Sequence, residues 1–130
     1  MTAELYTALV TATEAGVTSD DGFLSLDVHE PEKLGGPGET TNPEQLMAAA
    51  LASCLVQSLR IAVGTVEGSM DSVAVEGKVV LTDSDGSGYD ARFSLKVQLP
   101  DVEDPDAVLA QAVSICPFLK VIESVDVSLG

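Results

Sequence analysis

The stretch TNPEQLMAAALASCLVQSLRIAVG, residues 41–64, decides the fold of this chain because it predicts one long apolar helix. Asn42 suits the N-cap, Pro43 suits the first helical position, and Glu44 places negative charge in the first turn. Residues 46–63 are apolar almost all round such a helix. A helix of this kind is buried on most faces, which in a chain of 130 residues requires a surrounding sheet or a second copy of the chain.

Alternating segments before this helix predict strands. Leu5–Thr13 and Phe23–Val28 are expected to form a hairpin across the turn sequence GVTSDDG at 16–22. Residues 31–41 contain the run GGPG and predict a loop without regular structure.

Two more strands, a second helix and a closing strand are predicted after the long helix. The second helix is expected to end before Pro117, because a residue that precedes proline avoids the helical conformation. The segments are Ser72–Thr82 and Tyr89–Leu99, joined by the turn at 83–88, then the helix Pro105–Ile115, a short turn or helix at 118–122, and the strand Val125–Leu129. This order indicates a single α+β domain over residues 1–130 with antiparallel pairing.

The charge of the chain limits the classes of partner. Its 21 acidic and 6 basic residues give a formal net charge of −15, which repels nucleic-acid phosphates and anionic lipid headgroups. We therefore expect neither nucleic acid nor a membrane as a partner. Residues 1–10 lack a basic region followed by an apolar run, and no continuous apolar stretch reaches the length of a membrane span. These features predict a cytoplasmic protein.

Two cysteines, Cys54 in the apolar helix and Cys116 directly before Pro117, are the candidate reactive groups. In a reducing compartment a thiol pair is more often catalytic, redox-active or metal-binding than a structural crosslink. With His29 as the single histidine, the chain has no recognisable set of metal ligands. An oxidised thiol needs a second thiol to resolve it, so the pair is the minimum set for a thiol peroxidase. The alternative is structural, with Cys54 a small buried apolar residue and Cys116 packing at a helix end.

Several motifs together resemble the Ohr/OsmC family of organic hydroperoxide resistance and osmotically inducible proteins, and the Ohr branch in particular. The resemblance covers nearly the whole chain. The motifs are Thr41-Asn42-Pro43-Glu44-Gln45-Leu46 followed by a small-residue helix reaching Ser53-Cys54, then Cys116-Pro117, the closing Val125-Asp126-Val127, Leu34-Gly35-Gly36 before the helix, and Val75-Glu76-Gly77 in the middle hairpin.

The resemblance implies an intertwined homodimer in which an antiparallel sheet wraps a long buried central helix, with two active sites at the subunit interface. It implies reduction of organic and fatty-acid hydroperoxides without metal, cofactor or prosthetic group. Cys54 would be the peroxidatic thiolate, and Cys116 would condense with its sulfenic acid to form a disulfide. A dithiol, notably a lipoylated protein, would be the reductant.

Glu44 is the third catalytic residue that the resemblance suggests. It precedes Cys54 by ten residues, so the two lie about 15 Å apart along one helix and cannot touch within it. Glu44 would therefore serve the partner subunit's Cys54 across a two-fold axis. The structural alternative is that Glu44 only complements the helix dipole.

The chain departs from the family pattern at the group that activates the thiol. In the family an arginine from the loop after the first strand, held by the glutamate, has this role, but residues 13–18 contain no Arg or Lys. Lys33 is the least implausible substitute among the six cations, which are Lys33, Arg60, Lys78, Arg92, Lys96 and Lys120. The loss favours a second function, a catalytically weak dimer that binds a hydrophobic small molecule. A cysteine-dependent hydrolase ranks below both because it lacks a base.

Overall fold

The computed structural model describes residues 2–83, 85–86, 88–122 and 124–130. Contacts within the chain group into two compact units, residues 1–46 and 47–130. The single-domain expectation stays a prediction. The elements in chain order are β1 (Val10–Ala12), β2 (Gly16–Ser19), β3 (Ser25–Asp27), a 3-10 helix (Glu32–Leu34), α1 (Pro43–Val63), β4 (Ala74–Thr82), β5 (Asp90–Gln98), α2 (Pro105–Ile115), α3 (Pro117–Val121) and β6 (Val125–Leu129).

The first unit contains a three-stranded antiparallel sheet in the order β1-β2-β3. The predicted hairpin is wrong, since β1 and β3 each pair with β2 and not with each other, and β2 lies within the segment 16–22 that was predicted as a turn. The true turn is shorter because the Asp21 carboxylate accepts hydrogen bonds from the Ser19 hydroxyl and the Phe23 amide. The loop at 31–41 also contains the one-turn 3-10 helix.

The second unit contains the sheet β4-β5-β6. β4 and β5 pair antiparallel as predicted, from Ala74 opposite Gln98 to Thr82 opposite Asp90. β6 is parallel to β5, so antiparallel pairing throughout is wrong. The reason is that α2 and α3 form a crossover between the two strands, and a connection of that length allows parallel pairing. Within the predicted turn at 83–88, Ser84 and Ser87 lie outside the described residues.

Helix α1 begins and ends where the sequence predicts. The Asn42 side-chain oxygen accepts a hydrogen bond of 2.8 Å from the Gln45 amide, so Asn42 is the N-cap. After the last turn, the Gly64 amide donates to the Arg60 carbonyl at 3.2 Å. A local cap and a run of helix-forming residues are sufficient to define these ends.

The core of the second unit forms where α1 and α2 pack on β5. Fully buried side chains come from all three elements, among them Leu51, Leu55, Leu59, Leu95, Val97 and Val108. The α+β class is confirmed, and α1 is its central helix. By length and composition alone α1 could cross a membrane, but its buried leucines belong to the core of the second unit.

Burial of α1 is incomplete within one chain. Its buried residues are Leu51, Leu55, Ser58, Leu59, Ala62 and Val63, whereas Ile61 is 62% exposed. Burial on most faces is therefore not reached by the described residues of a single copy.

Candidate active site

Cys54 and Cys116 lie side by side although 62 residues separate them. The Cys116 thiol donates a hydrogen bond to the Cys54 sulfur, with an Sγ–Sγ distance of 3.4 Å. Both are free thiols. A disulfide has an S–S bond of about 2.05 Å, so the sulfurs need to approach by only about 1.4 Å to become linked.

Three helices position the two thiols. Cys54 stands in the middle of α1, and Cys116 caps the end of α2 with its amide bonded to the Ala112 carbonyl at 3.0 Å. Pro117 then begins α3, so Cys116 occupies the extended residue between two helices. The Cys116-Pro117 pair therefore holds the second thiol at a sharp break in direction.

The two thiols differ in their access to solvent. Cys116 is fully buried, with no exposed surface, whereas Cys54 is only partly buried. A reagent that arrives from solvent therefore meets Cys54 first. Cys116 is placed to react only with a group already attached to, or formed on, Cys54.

The surroundings of Cys54 keep its thiol protonated. Burial raises the pKa of Cys54, and the neighbouring Cys116 raises this pKa further. The backbone amide of Phe118, in the first turn of α3, acts in the opposite direction. No Lys or Arg is among the groups that shift this pKa in the part of the chain that the structure describes.

All six Lys and Arg side chains are exposed. Lys33, the predicted substitute for an activating arginine, lies exposed in the 3-10 helix. At residues 13–16 the chain makes a tight β1–β2 turn, in which the Thr13 amide donates to the Gly16 carbonyl at 2.9 Å. This turn contains Glu14 and Ala15 and supplies no cation.

Glu44 lies in the first turn of α1 and is not brought to Cys54 along that helix, because ten residues separate them. Its Oε1 atom is sealed from solvent and has no hydrogen-bond partner among the described residues. A buried acceptor without a donor is uncommon in proteins. This oxygen therefore lacks a donor among the described residues.

One group beside Cys54, the backbone amide of Phe118, was not identified from the sequence. The backbone amide of Phe118 lowers the pKa of Cys54. In the sequence, only the helix start at Cys116-Pro117 could have indicated an amide at this place. Gly77 lets β4 approach α1, because a Cβ at this position would lie 2.7 Å from the Ala48 carbonyl oxygen and 3.3 Å from the Ala52 Cβ. Among the described residues, no group of three or more His, Cys, Asp or Glu is arranged to hold a metal ion.

Comparisons with known proteins match this arrangement to one family. The model of the OsmC-like protein family matches residues 36–130. The chain is 37% identical to organic hydroperoxide resistance protein OhrB of Bacillus subtilis, covering 96% of each chain. It is 30% identical to the organic hydroperoxide resistance protein of Xanthomonas axonopodis pv. citri, covering 88% of this chain and 84% of that protein.

Solved structures give the same result. The crystal structure of OhrB of Bacillus subtilis superposes with a TM-score of 0.75 at 33% identity, covering 97% of this chain and 98% of that one. An organic hydroperoxide resistance protein from Legionella pneumophila superposes with a TM-score of 0.83 at 30% identity, covering 98% and 97%.

Proposed function

Because this chain belongs to the OsmC-like protein family, and its relatives are organic hydroperoxide resistance proteins, we propose that it reduces organic hydroperoxides with Cys54 as the attacking thiol. The observation that supports this proposal best is the 3.4 Å separation of the Cys54 and Cys116 sulfurs, one partly exposed and one buried. A protein that only binds a ligand has no use for a resolving thiol at this distance.

The reaction balances with the two thiols and one external dithiol. The Cys54 thiolate attacks the terminal oxygen of the hydroperoxide, the O–O bond breaks, and the alcohol leaves with a proton while Cys54 becomes a sulfenic acid. Cys116 then attacks the Cys54 sulfur, forming the disulfide and releasing water. A dithiol such as a lipoylated protein reduces the disulfide by exchange and is itself oxidised. We place this cycle in the reducing cytoplasm.

The functional unit in this proposal is a homodimer. None of the described residues from 2 to 46 is buried, and Leu5, Tyr6 and Phe23 are 95%, 80% and 94% exposed. So much apolar exposure is a feature of surfaces that are covered by a partner. A second copy would also bring Glu44 of one subunit towards the partner subunit's Cys54, where its unpaired oxygen could help to orient the reacting groups.

A second function has its own support. The raised pKa of Cys54 and the exposure of every Lys and Arg leave the thiol without an activating cation. If activation fails, the protein is a catalytically weak dimer that binds a hydrophobic small molecule.

Consumption of cumene hydroperoxide by the reduced protein, with dihydrolipoamide as reductant, separates the two functions. Under the proposal, Cys54→Ser abolishes turnover. Cys116→Ser, given peroxide before any dithiol is added, stops after one equivalent and leaves a sulfenic acid that dimedone traps. Ser114→Ala, an exposed control on α2, retains full turnover. Absence of turnover in a fully reduced, folded wild-type dimer would refute the peroxidase and favour the binding protein.

A further inference from the structure

The charged side chains of the chain are distributed unevenly between its two units. Residues 1–46 carry nine acidic side chains and one basic side chain, that of Lys33. The other five basic residues belong to the second unit, which also contains Cys54 and Cys116. The access of an anionic molecule to Cys54 therefore depends on where those five side chains lie.

Helix α1, which carries Cys54, covers one face of the sheet β4-β5-β6. Gly77 is on that face, because a Cβ at this position would lie 2.7 Å from the Ala48 carbonyl oxygen. Leu95, the register partner of Gly77, is buried in the core with Val97. Successive side chains of a strand point to opposite faces of a sheet, so the alternate residues of β4 and β5 face away from α1 and its thiol.

Three of the five cations project from this outer face. They are Lys78, Arg92 and Lys96, and all three are exposed. Lys96 is also paired in register with Glu76, whose negative charge opposes its own. The sheet therefore stands between these three positive charges and Cys54.

The two remaining cations are on helices. Arg60 follows Cys54 by six residues, which places it about 9 Å farther along α1 and about 120° round the helix. Lys120 is on α3, where its amide donates to the Cys116 carbonyl at 3.2 Å. Its side chain is exposed, and it is not among the groups that shift the pKa of Cys54. Lys120 is thus the local cation whose effect an experiment must measure.

The proposed homodimer adds negative charge near the thiol. In that dimer Glu44 of one subunit approaches the partner subunit's Cys54, and Glu44 belongs to the unit with nine acidic side chains. Each chain also has a net charge of −15. An anion that approaches Cys54 therefore meets a repulsive potential, whereas a neutral molecule does not.

We propose that the peroxidase selects neutral organic hydroperoxides, such as alkyl, aryl and ester-linked lipid hydroperoxides, against those that carry a free carboxylate. This selectivity rests on the proposed function and specifies its substrate class. The hydroperoxide group is the same in both classes, so the discrimination acts on the approach to Cys54. Attack on the terminal oxygen and release of the alcohol proceed as before.

The test is the second-order rate constant for oxidation of Cys54 in the reduced full-length protein, measured from the loss of free thiols after rapid mixing and acid quenching. The probes are the para-carboxylate and the para-carboxamide of cumene hydroperoxide, which have nearly the same size and differ in charge at pH 7. Their rates with mercaptoethanol correct for intrinsic reactivity.

After this correction, the carboxamide should react at least about 10-fold faster than the carboxylate at an ionic strength of about 0.01 M. Raising the ionic strength to about 1 M shortens the Debye length from about 30 Å to about 3 Å, so the ratio should fall towards one. Equal corrected rates at low ionic strength, or a ratio that does not respond to salt, would overturn the proposal.

Lys120→Gln and Lys78→Gln form a matched pair, because both remove one positive charge but only Lys120 is on a helix next to Cys116. Each should slow the carboxylate peroxide by less than about 2-fold. A much larger loss with Lys120→Gln than with Lys78→Gln would show that Lys120 recruits anionic substrates, and the proposal would be wrong.

The outcome for the neutral peroxide separates this selectivity from the proposed function. If the carboxamide and the carboxylate oxidise Cys54 at equal corrected rates, the selectivity is wrong and the peroxidase is still supported. If neither peroxide oxidises Cys54, the peroxidase fails, and the selectivity fails with it.

Discussion

Gly77→Ala tests how closely β4 packs on the helix that carries Cys54. The added Cβ would lie 2.7 Å from the Ala48 carbonyl oxygen, whereas ordinary contact begins at 3.4 Å, so strand and helix must separate by about 0.7 Å in an interior without spare volume. The opposing atom belongs to the helix backbone and cannot rotate away. Overpacking of this size costs about 1–3 kcal/mol.

A favourable effect offsets part of this cost. Alanine is better than glycine within a strand by about 0.5–1 kcal/mol because it loses less backbone entropy on folding. The net expectation is a loss of about 1–2 kcal/mol in the free energy of unfolding. With a urea m-value of about 2 kcal/mol per molar, the unfolding midpoint falls by about 0.5–1 M.

Urea unfolding followed by circular dichroism measures this change, with wild type and variant at one protein concentration because dimerisation would shift both. Ala52→Gly supplies a double-mutant cycle, since it removes the 3.3 Å contact of the Ala52 Cβ but leaves the Ala48 oxygen in place. We expect the pair to recover only part of the loss. An unchanged or higher midpoint for Gly77→Ala alone would show that β4 and α1 are not in this contact.

Four further predictions address the core, the helix cap, the thiol and the missing cation. Leu59→Ala, at a site with no exposed surface, should lower the free energy of unfolding by about 2–5 kcal/mol in the same urea assay, and a loss below 1 kcal/mol would contradict its core position. Asn42→Ala removes the N-cap bond and should cost about 1 kcal/mol, with Asn42→Asp as the conservative control that keeps the acceptor. The pKa of Cys54 is raised in the folded state, so its contribution to stability is fully present below the ordinary thiol pKa and is lost as pH rises through the folded value. Because iodoacetamide reacts with the thiolate, alkylation of Cys54 should become fast only above the ordinary thiol range. Rapid alkylation at pH 7 would contradict the raised pKa. Glu14→Arg restores a cation to the β1–β2 turn and should increase peroxide turnover at least about 10-fold if that turn serves a thiol, whereas Glu32→Arg, with the same charge change, should not.

The elements that the sequence predicted correctly depend on near neighbours. Asn42 and Pro43 are sufficient to start α1, and the proline at 117 is sufficient to end α2 at Ile115. The β4–β5 hairpin follows because long alternating strands joined by a short turn have one favourable pairing. The predictions for β1 to β3 were wrong because Val17 and Thr18 pair as a strand between residues that favour turns.

The parallel direction of β6 could not be read from the residues of β6 itself. Its alternation of Val125, Val127 and Leu129 suits either direction, and the crossover through α2 and α3 decides between them. The candidate site shows the same division. Residue types and the family resemblance singled out Cys54, Cys116 and Glu44, but the contact between the two sulfurs and the access of solvent to each thiol depend on packing.

By itself, the sequence determined a long capped apolar helix, an α+β chain of strongly negative charge, two thiols and the lack of a cation at residues 13–18, because each of these is a property of composition or of local conformation. Only the tertiary structure decided that the two sulfurs meet at 3.4 Å, that Cys116 is buried while Cys54 is reachable, and that the Glu44 oxygen lacks a donor among the described residues. Those facts depend on which distant segments the burial of apolar side chains brings together, and no local pattern specifies that choice.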